Sequence, residues 1–206
     1  MKLFYSKGAC SLTVRIIINA LGLEAVYESV DLKTKLTETG QDFWAINPKG
    51  SVPVLQLDNG KFLSENQAIL QYLVDNNSAL DANQPLLSPI GDFKRYRALE
   101  WLSYVATEVH KAFGPVFNPK LTDAEKQEAI PVIKAKIAFI EQHLQQNKFL
   151  AGDSFTLADA YLFVVLRWTK VVKIDLAEWP RLADYFKRLH QENAIQMALE
   201  QEGLEG

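Results

Sequence analysis

The apolar positions of the first half of the chain follow both strand and helix periods. Lys2–Tyr5 has the pattern of a short strand, and Leu12–Leu21 is apolar at helical spacing with Gly22 as a plausible stop. Alternation over Ala25–Leu32 predicts a second strand. The resulting order of strand, helix and strand is the unit that places two strands in parallel.

A polar stretch and a hairpin follow this unit. Residues Lys33–Trp44 are polar and mixed, which predicts an irregular helix. Asp58-Asn59-Gly60-Lys61 is a hairpin turn sequence between a predicted strand over Val52–Leu57 and a returning strand at Phe62-Leu63. The order of predicted strands and helices in the first half therefore indicates a small α/β domain.

Pro53 lies inside the strand-like run, where a proline cannot donate a hydrogen bond to a neighbouring strand. One interpretation is a trans proline at the entry of a strand, which is favoured because few X–Pro bonds are cis. The other is a cis Val52–Pro53 bond that turns the Val52 backbone outward to pair with an extended peptide. The residues alone leave both interpretations open.

The helix after the hairpin begins with a cap that also suits an anion. Ser64 is the expected N-cap, and Gln67 completes a capping box for a helix that runs to about Asn77. The N–H groups of Glu65 and Asn66 lie at the positive end of the helix dipole, a natural place for a ligand carboxylate. The alternative is a capped helix that binds nothing.

A turn-rich segment separates this half from one that predicts helices only. Residues 76–85 lose the periodicity and are polar and small. Ser88-Pro89 then has the composition of an N-cap followed by proline at the first helical position. We therefore predict a domain over residues 1–80, a linker over 81–89 and an all-helical domain over 90–206.

The first helix of the second half carries polar residues along one side. It is predicted to run from about Pro89 to Phe113. Ser103, Thr107 and His110 are spaced i, i+4 and i+7 and share a stripe, with Lys111 beside it. A polar stripe on a long helix is either its solvent face or part of a site.

Two capping boxes mark later helices. Thr122 and Glu125 start one that Pro131 kinks or restarts, and Thr156 and Asp159 start another. The second helix is apolar nearly all round, so we expect it at the centre of the helical domain. Two more helices are predicted at Trp179–His190 and Asn193–Glu202.

Composition narrows the class of protein. The chain has 206 residues, 48% of them hydrophobic, which is enough to bury a real core. The net charge is −3 and no lysine–arginine block stands out, so no nucleic-acid partner is expected. The apolar runs are too short to span a membrane, and the first residues lack a secretory signal pattern. We expect a cytoplasmic protein without a membrane partner.

Cys10 is the single cysteine and lies at the start of the first helix. Helix N–H groups and the dipole favour a thiolate there and predict a lowered pKa. The other interpretation is an inert small hydrophobe. A lone cysteine and three scattered histidines exclude an internal disulfide and predict no metal site. Thr13 rules out a two-cysteine redox motif, but one-thiol chemistry with an external thiol stays open.

Several motifs occur together in this chain: Asn47-Pro48-x-Gly50-x-Val52-Pro53, Ser64-Glu65-Asn66-Gln67 and Phe155-Thr156-x-Ala158-Asp159. With them the chain resembles the soluble glutathione transferases over its whole length. Cys10 within Gly8-Ala9-Cys10-Ser11, together with His110-Lys111, looks like the bacterial beta class. The resemblance implies a thioredoxin-like N-terminal domain, an all-α C-terminal domain and a homodimer with its site at the subunit interface.

The resemblance also implies how glutathione would be held as co-substrate. Val52 would pair through its backbone with the cysteinyl part, next to a cis Pro53. Glu65 and Asn66 would hold the γ-glutamyl end, and Lys35 would reach the glycyl carboxylate as a point charge. Asn66 stands where many members carry Ser, Asp or Gly.

For the reaction, the resemblance implies Cys10 and His110 as the catalytic residues. Cys10 would lie beside the glutathione sulfur and could form a mixed disulfide. His110, Lys111 and Trp168 would line the side of the second substrate, and Ser103 and Thr107 are placed with the binding residues. Ser103 replaces an Asn that reaches the partner's glutathione in close relatives. Tyr5 matches the catalytic tyrosine of other classes and here looks secondary.

The leading hypothesis is therefore a glutathione transferase that conjugates the glutathione thiolate to electrophilic small molecules, a detoxification reaction. A second hypothesis is mainly redox, with glutathione-dependent thiol–disulfide exchange at Cys10 as in a one-cysteine glutaredoxin. A third is a non-catalytic carrier of apolar ligands. The sequence names no particular electrophile.

Overall fold

The structure is a computed structural model that describes residues 1–77 and 86–205. These residues form two compact units, which divide near residue 190 as well as within the linker. The first unit contains the described residues before the linker together with 191–205, and the second contains 86–190. The predicted linker, 81–89, lies mostly outside the described residues.

The described part of the chain contains five strands and ten α-helices. The strands are β1 (Lys2–Tyr5), β2 (Val26–Asp31), β3 (Leu36–Thr37), β4 (Val54–Gln56) and β5 (Phe62–Ser64). The helices are α1 (Leu12–Ala20), α2 (Phe43–Ile46), α3 (Asn66–Asp75), α4 (Phe93–Tyr104), α5 (Gly114–Phe117), α6 (Asp123–Gln127), α7 (Ala129–Leu144), α8 (Leu157–Arg167), α9 (Pro180–His190) and α10 (Asn193–Gln201).

The first unit is built on one sheet with the strand order β3-β2-β1-β4-β5. Strand β1 pairs in parallel with β2, in a register that sets Leu3 opposite Tyr27, which confirms the predicted strand–helix–strand unit. On its other side β1 pairs antiparallel with β4, with Leu3 opposite Leu55. The predicted hairpin is confirmed, since β4 and β5 are antiparallel across the Asp58–Lys61 turn.

Two local predictions in this unit are wrong. Lys33–Trp44 is not one irregular helix, because it contains β3 and only the start of α2. Ser64 does not cap α3, because it is the last residue of β5 and its hydroxyl accepts a hydrogen bond from Lys49 Nζ. In both places strand pairing overrides the local pattern: Leu36–Thr37 pairs with β2, and Ser64 pairs with β4.

The assignment of the last helix to the helical domain is also corrected. Helix α10 packs on α1 within the first unit, with Ile195, Ala198 and Leu199 buried. The apolar face of α1 would otherwise be exposed, because nearly all its residues are buried. Helix α10 covers this apolar face although it lies far along the chain. Its stability comes from this packing more than from its own short sequence.

In the second unit, the long helix predicted from Pro89 begins later and is irregular. Asp92 caps α4 by accepting a hydrogen bond from Lys94 N–H, and α4 ends at Tyr104. Val105–His110 then forms a π-helical segment. Such segments rotate the following side chains and often occur at functional sites.

Both predicted capping boxes are present. Thr122 and Glu125 exchange hydrogen bonds at the start of α6, and Thr156 and Asp159 do so at the start of α8. Residues Leu157–Leu166 of α8 are all buried, which confirms its central place in the second unit. The break before α7 falls at Glu128 rather than at Pro131.

Among the described residues, no helix combines the length and the apolar character that crossing a membrane requires.

Candidate functional site

The thiol of Cys10 lies against the turn before β4. Cys10 Sγ donates a hydrogen bond to the Val52 carbonyl oxygen at 3.4 Å. The Val52–Pro53 peptide bond is cis, so the second of the two sequence interpretations is the one observed. Val52 and Pro53 are both buried and immediately precede β4. The two segments that the motif analysis singled out are therefore in direct contact.

Burial controls the protonation of this thiol. Desolvation raises the pKa of Cys10 to about 12, against the lowering effect of the Cys10 and Ser11 backbone N–H groups. Glu65 raises it further through its charge. The lowered pKa expected from the helix start is therefore wrong for this structure, because desolvation outweighs the helix N–H groups. Cys10 is a thiol, not a thiolate, at neutral pH.

The start of α3 reaches the same turn. Glu65 precedes the helix with φ +73°, and its side chain makes no capping hydrogen bond to the first turn of α3. The Asn66 side chain is buried, and its Nδ2 donates to the Cys10 carbonyl oxygen at 3.3 Å. Asn66 Oδ1 is buried and has no hydrogen-bond partner among the described residues. Uncapped N–H groups and an unused acceptor next to Cys10 leave this helix start available to a polar ligand.

Two lysines flank the turn on the side of Gly50. Lys35, with φ +60°, places Nζ 2.7 Å from the Gly50 carbonyl oxygen. Lys49 Nζ bonds the Ser64 hydroxyl and lies 2.5 Å from Glu65 Oε1, in an exposed ion pair that contributes little stability. Lys49 is absent from the predicted site residues, and its only sequence signal is its place in the Asn47–Pro53 motif.

In the second unit, His110 and Trp168 lie together. Their rings meet edge to face with centroids 4.8 Å apart. His110 Nδ1 is 2.6 Å from the Tyr161 hydroxyl, and burial lowers the His110 pKa, so the ring is neutral at neutral pH. Phe113 and Phe117 also contact Trp168 and complete an aromatic cluster. Sequence pattern predicts Tyr161 only as core, since an apolar helix gives no signal for its hydroxyl.

The rest of the predicted stripe does not share the surroundings of His110. Ser103, Thr107 and Lys111 are exposed, while His110 is partly buried. The Thr107 hydroxyl donates to the Ser103 carbonyl oxygen at 2.9 Å, as in an ordinary helical turn. The π-helical segment changes the spacing after Tyr104, which explains why these positions differ from a regular α-helical stripe.

The first unit thus brings together Cys10, Lys35, Val52, Pro53, Glu65 and Asn66, and the second unit brings together His110 and Trp168. No group of three or more histidine, cysteine, aspartate or glutamate side chains suited to a metal ion occurs in residues 1–77 and 86–205.

Comparison with known proteins fits this arrangement. The sequence matches the family described as "Glutathione S-transferase, N-terminal domain" over residues 8–76 and the one described as "Glutathione S-transferase, C-terminal domain" over 104–193. It is 41% identical to "Glutathione S-transferase GstA" of Escherichia coli O157:H7, over 99% of this chain and 100% of that protein.

Solved structures give the same result. A sphingomonad glutathione S-transferase in complex with glutathione is 41% identical, covers 100% of both chains and has a TM-score of 0.92. A bacterial beta-class enzyme of Sphingomonas chungbukensis is 40% identical, again over 100% of both chains, with a TM-score of 0.94. The chain belongs to the glutathione S-transferase family. The fold class, enzyme class and beta-class likeness predicted from the motifs are confirmed.

Proposed function

We propose that this chain binds glutathione at the turn before β4 and transfers its thiolate to electrophilic small molecules. The observation that carries the proposal is the convergence of Cys10, Val52 and Asn66 in two hydrogen bonds, with Lys35 beside the same turn. In this arrangement one small peptide could contact the Val52 backbone, the positive charge of Lys35 and the Cys10 thiol together. A relative of 41% identity binds glutathione in its solved structure, which supports the choice of ligand.

Each part of glutathione has a matching group. The γ-glutamyl carboxylate suits the uncapped N–H groups at Glu65 and Asn66. The cysteinyl backbone suits the Val52 backbone, which adds an extended peptide at the edge of the turn. The glycyl carboxylate suits Lys35 Nζ, which is held near Gly50 by a neutral carbonyl and is free to make a charge-assisted bond.

The pKa of Cys10 favours conjugation over thiol–disulfide exchange. Exchange needs Cys10 as a thiolate, and burial disfavours that form. A neutral Cys10 can instead donate its S–H to the glutathione sulfur and stabilise the thiolate there, where each pKa unit corresponds to about 1.4 kcal/mol. The mixed disulfide predicted from the sequence then becomes a side reaction rather than the main one.

His110 would act on the electrophile. It is neutral, and the Tyr161 hydroxyl occupies Nδ1, so Nε2 is the nitrogen left to meet a substrate. Trp168 and the phenylalanines beside it offer an apolar surface to an aromatic or aliphatic electrophile. Detoxification is the biological role that such a reaction would serve.

A homodimer is part of the proposal. The second unit exposes large apolar side chains at its start: Ile90 is 82% exposed and Phe93 is 71% exposed. Clustered apolar groups of this kind mark surfaces that bind another protein. Sedimentation velocity of the purified chain would test it, and a monomer at micromolar concentration would contradict it. The cytoplasmic location stays a prediction.

The function is tested by retention on immobilised glutathione followed by a conjugation assay with an aryl halide. We expect retention and turnover, and replacement of Lys35 by Ala should raise the KM for glutathione roughly tenfold, because a charge-assisted bond is lost. Lys61→Ala, an exposed lysine on the hairpin turn, is the matched control and should leave KM unchanged.

Cys10→Ala separates the two reactions. Conjugation that survives while exchange on a mixed-disulfide substrate disappears would limit the thiol to redox work. Loss of both retention and turnover in the parent protein would exclude the transferase and the exchange enzyme together.

A further inference from the structure

The end of helix α10 brings a carboxylate to the turn that carries Cys10. Glu202 follows the last residue of the helix, and its side chain is 0% exposed. Glu202 Oε2 accepts a hydrogen bond from Gly8 N–H at 2.8 Å. Glu202 Oε1 accepts one from Arg15 Nε at 3.1 Å. One carboxylate therefore holds residues on both sides of Cys10.

Arg15 is fixed by aromatic rings as well as by this ion pair. Its guanidinium carbon lies 3.6 Å from the ring centre of Tyr27 and 4.4 Å from that of Tyr5. Its side chain is only 3% exposed. A cation placed over two ring faces is attracted to both. The Tyr5 ring is therefore packed against the ion-pair partner of Glu202.

The turn is held from the opposite side by α3. Asn66 Nδ2 donates to the Cys10 carbonyl oxygen, and the thiol itself donates to Val52. Gly8 has φ +70°, a conformation in which its N–H points to Glu202 and which few other residues adopt. Between them, Asn66 and Glu202 leave the Cys10 backbone little freedom.

Anchoring of α10 does not by itself account for Glu202. The helix is already attached to α1 by buried Ile195 and Leu199, and by Asn19, whose Nδ2 donates to the Ala194 carbonyl and to the Gln201 side chain. Two charges buried away from water are a weak source of stability, because their desolvation offsets their attraction. The hydrogen bond to Gly8 is the contact that the other anchors do not duplicate.

We propose that Glu202 is a positioning residue for Cys10, which holds the Lys7–Ser11 turn so that the half-buried thiol stays against the Val52 carbonyl. The C-terminal segment thereby sets the exposure of a thiol at the other end of the sequence. The proposal rests on the proposed function only in that Cys10 is taken to act on glutathione. Its geometry concerns the protein without glutathione.

The test is alkylation of the ligand-free protein by iodoacetamide over a range of pH. Since Cys10 is the only cysteine, the rate reports this thiol alone. Glu202→Gln keeps an acceptor for Gly8 but loses the charge opposite Arg15, and Glu202→Ala loses both. We expect alkylation at mildly alkaline pH to rise about tenfold or more in Glu202→Ala and less in Glu202→Gln, because a hydrogen bond to a charged acceptor is lost. The midpoint of the pH profile should fall toward the ordinary value of 9.0, because desolvation holds the pKa of Cys10 above that value in the parent.

Asn19→Ala is the matched control, since it weakens the attachment of α10 without touching the turn. A change of less than about twofold in this variant, at a similar loss of thermal stability, supports a positioning role. An unchanged alkylation profile in folded Glu202→Gln would overturn it, and so would an equal rise in Asn19→Ala. If Glu202→Ala does not fold, Glu202→Gln and Asn19→Ala still decide. Because no glutathione is used, failure here is distinct from a parent protein that fails to bind or conjugate glutathione.

Discussion

At the scale of single residues, burial leaves both predicted catalytic side chains uncharged. Desolvation raises the pKa of Cys10 and lowers the pKa of His110. A neutral thiol can donate a hydrogen bond, and a neutral imidazole has one donor and one acceptor nitrogen. The Tyr161 hydroxyl and His110 Nδ1 share a hydrogen bond of 2.6 Å, so Nδ1 is engaged and Nε2 is the nitrogen that remains to meet a substrate. Tyr161 therefore decides which nitrogen of His110 is left for a substrate.

Replacement of Tyr161 by Phe should free the His110 ring and mix its two tautomers. We expect kcat for conjugation to fall roughly three- to tenfold, as for the loss of one neutral hydrogen bond, with the KM for glutathione little changed. Nitrogen NMR of the imidazole rings can follow the tautomer balance of His110 directly. The chain has three histidines, so few signals have to be assigned.

Tyr96→Phe removes an exposed hydroxyl in the same unit and serves as control. Because burial holds the His110 pKa below its ordinary 6.5, the parent should lose activity only as the pH falls below that value. Unaltered imidazole shifts and unaltered kcat in the Tyr161→Phe variant would contradict the role given to Tyr161.

At the scale of elements, the two capping boxes place one motif in two environments. The box of Thr122 and Glu125 at α6 is exposed. In the box at α8, Asp159 is fully buried and accepts hydrogen bonds from Leu150 N–H, Thr156 and the Tyr185 hydroxyl. Burial raises the Asp159 pKa even though these donors lower it. The buried capping box joins the segments of Leu150 and Tyr185 to α8, whereas the exposed box makes hydrogen bonds only at the start of its own helix.

Asp159→Ala should therefore destabilise the protein far more than Glu125→Ala. We expect a loss of about 3 kcal/mol or more in the free energy of unfolding, because several buried donors lose their acceptor. For Glu125→Ala we expect a much smaller loss, because the cap at α6 is exposed and water can replace its hydrogen bonds. Urea denaturation of both variants gives the comparison. Equal losses would mean that the surroundings of the motif do not matter.

At the scale of the whole molecule, the chain returns to its first unit after completing the second. Residues 191–205 pack with the start of the chain, and the buried pair of Arg15 and Glu202 lies in that contact. The first unit therefore includes residues 191–205, which follow the second unit in sequence. Within this unit, helix α1 packs against the apolar side chains of α10.

Leu199→Ala should destabilise the unit that holds Cys10. Leu199 is 3% exposed, so we expect a loss of about 2–4 kcal/mol from the cavity that the substitution leaves. Met197, on the same helix, is 48% exposed, and Met197→Ala should cost less than about 0.5 kcal/mol. Thermal unfolding with Cys10 accessibility as the probe measures both. Similar melting temperatures for the two variants would argue against α10 as part of the first unit.

Much of the fold follows from local pattern. Spacing and turn chemistry predict the parallel pair of β1 and β2, the hairpin of β4 and β5, both capping boxes and the buried α8, and the structure contains them all. These features depend on residues within a few positions of one another, so a local pattern contains the information. Family likeness added Lys35, Val52 and Asn66, which the structure places around one turn.

Only the tertiary structure decided the pKa of Cys10, the true start of α3 and the place of α10. The helix start predicts a low thiol pKa, but desolvation of the Cys10 thiol has the larger effect. Ser64 has the side chain of a typical N-cap, but it is the last residue of strand β5 instead. Glu202 shows no local signal, because its partners Gly8 and Arg15 lie at the other end of the chain. Sequence pattern reports periodicity and caps, whereas desolvation and long-range ion pairs exist only once distant segments meet.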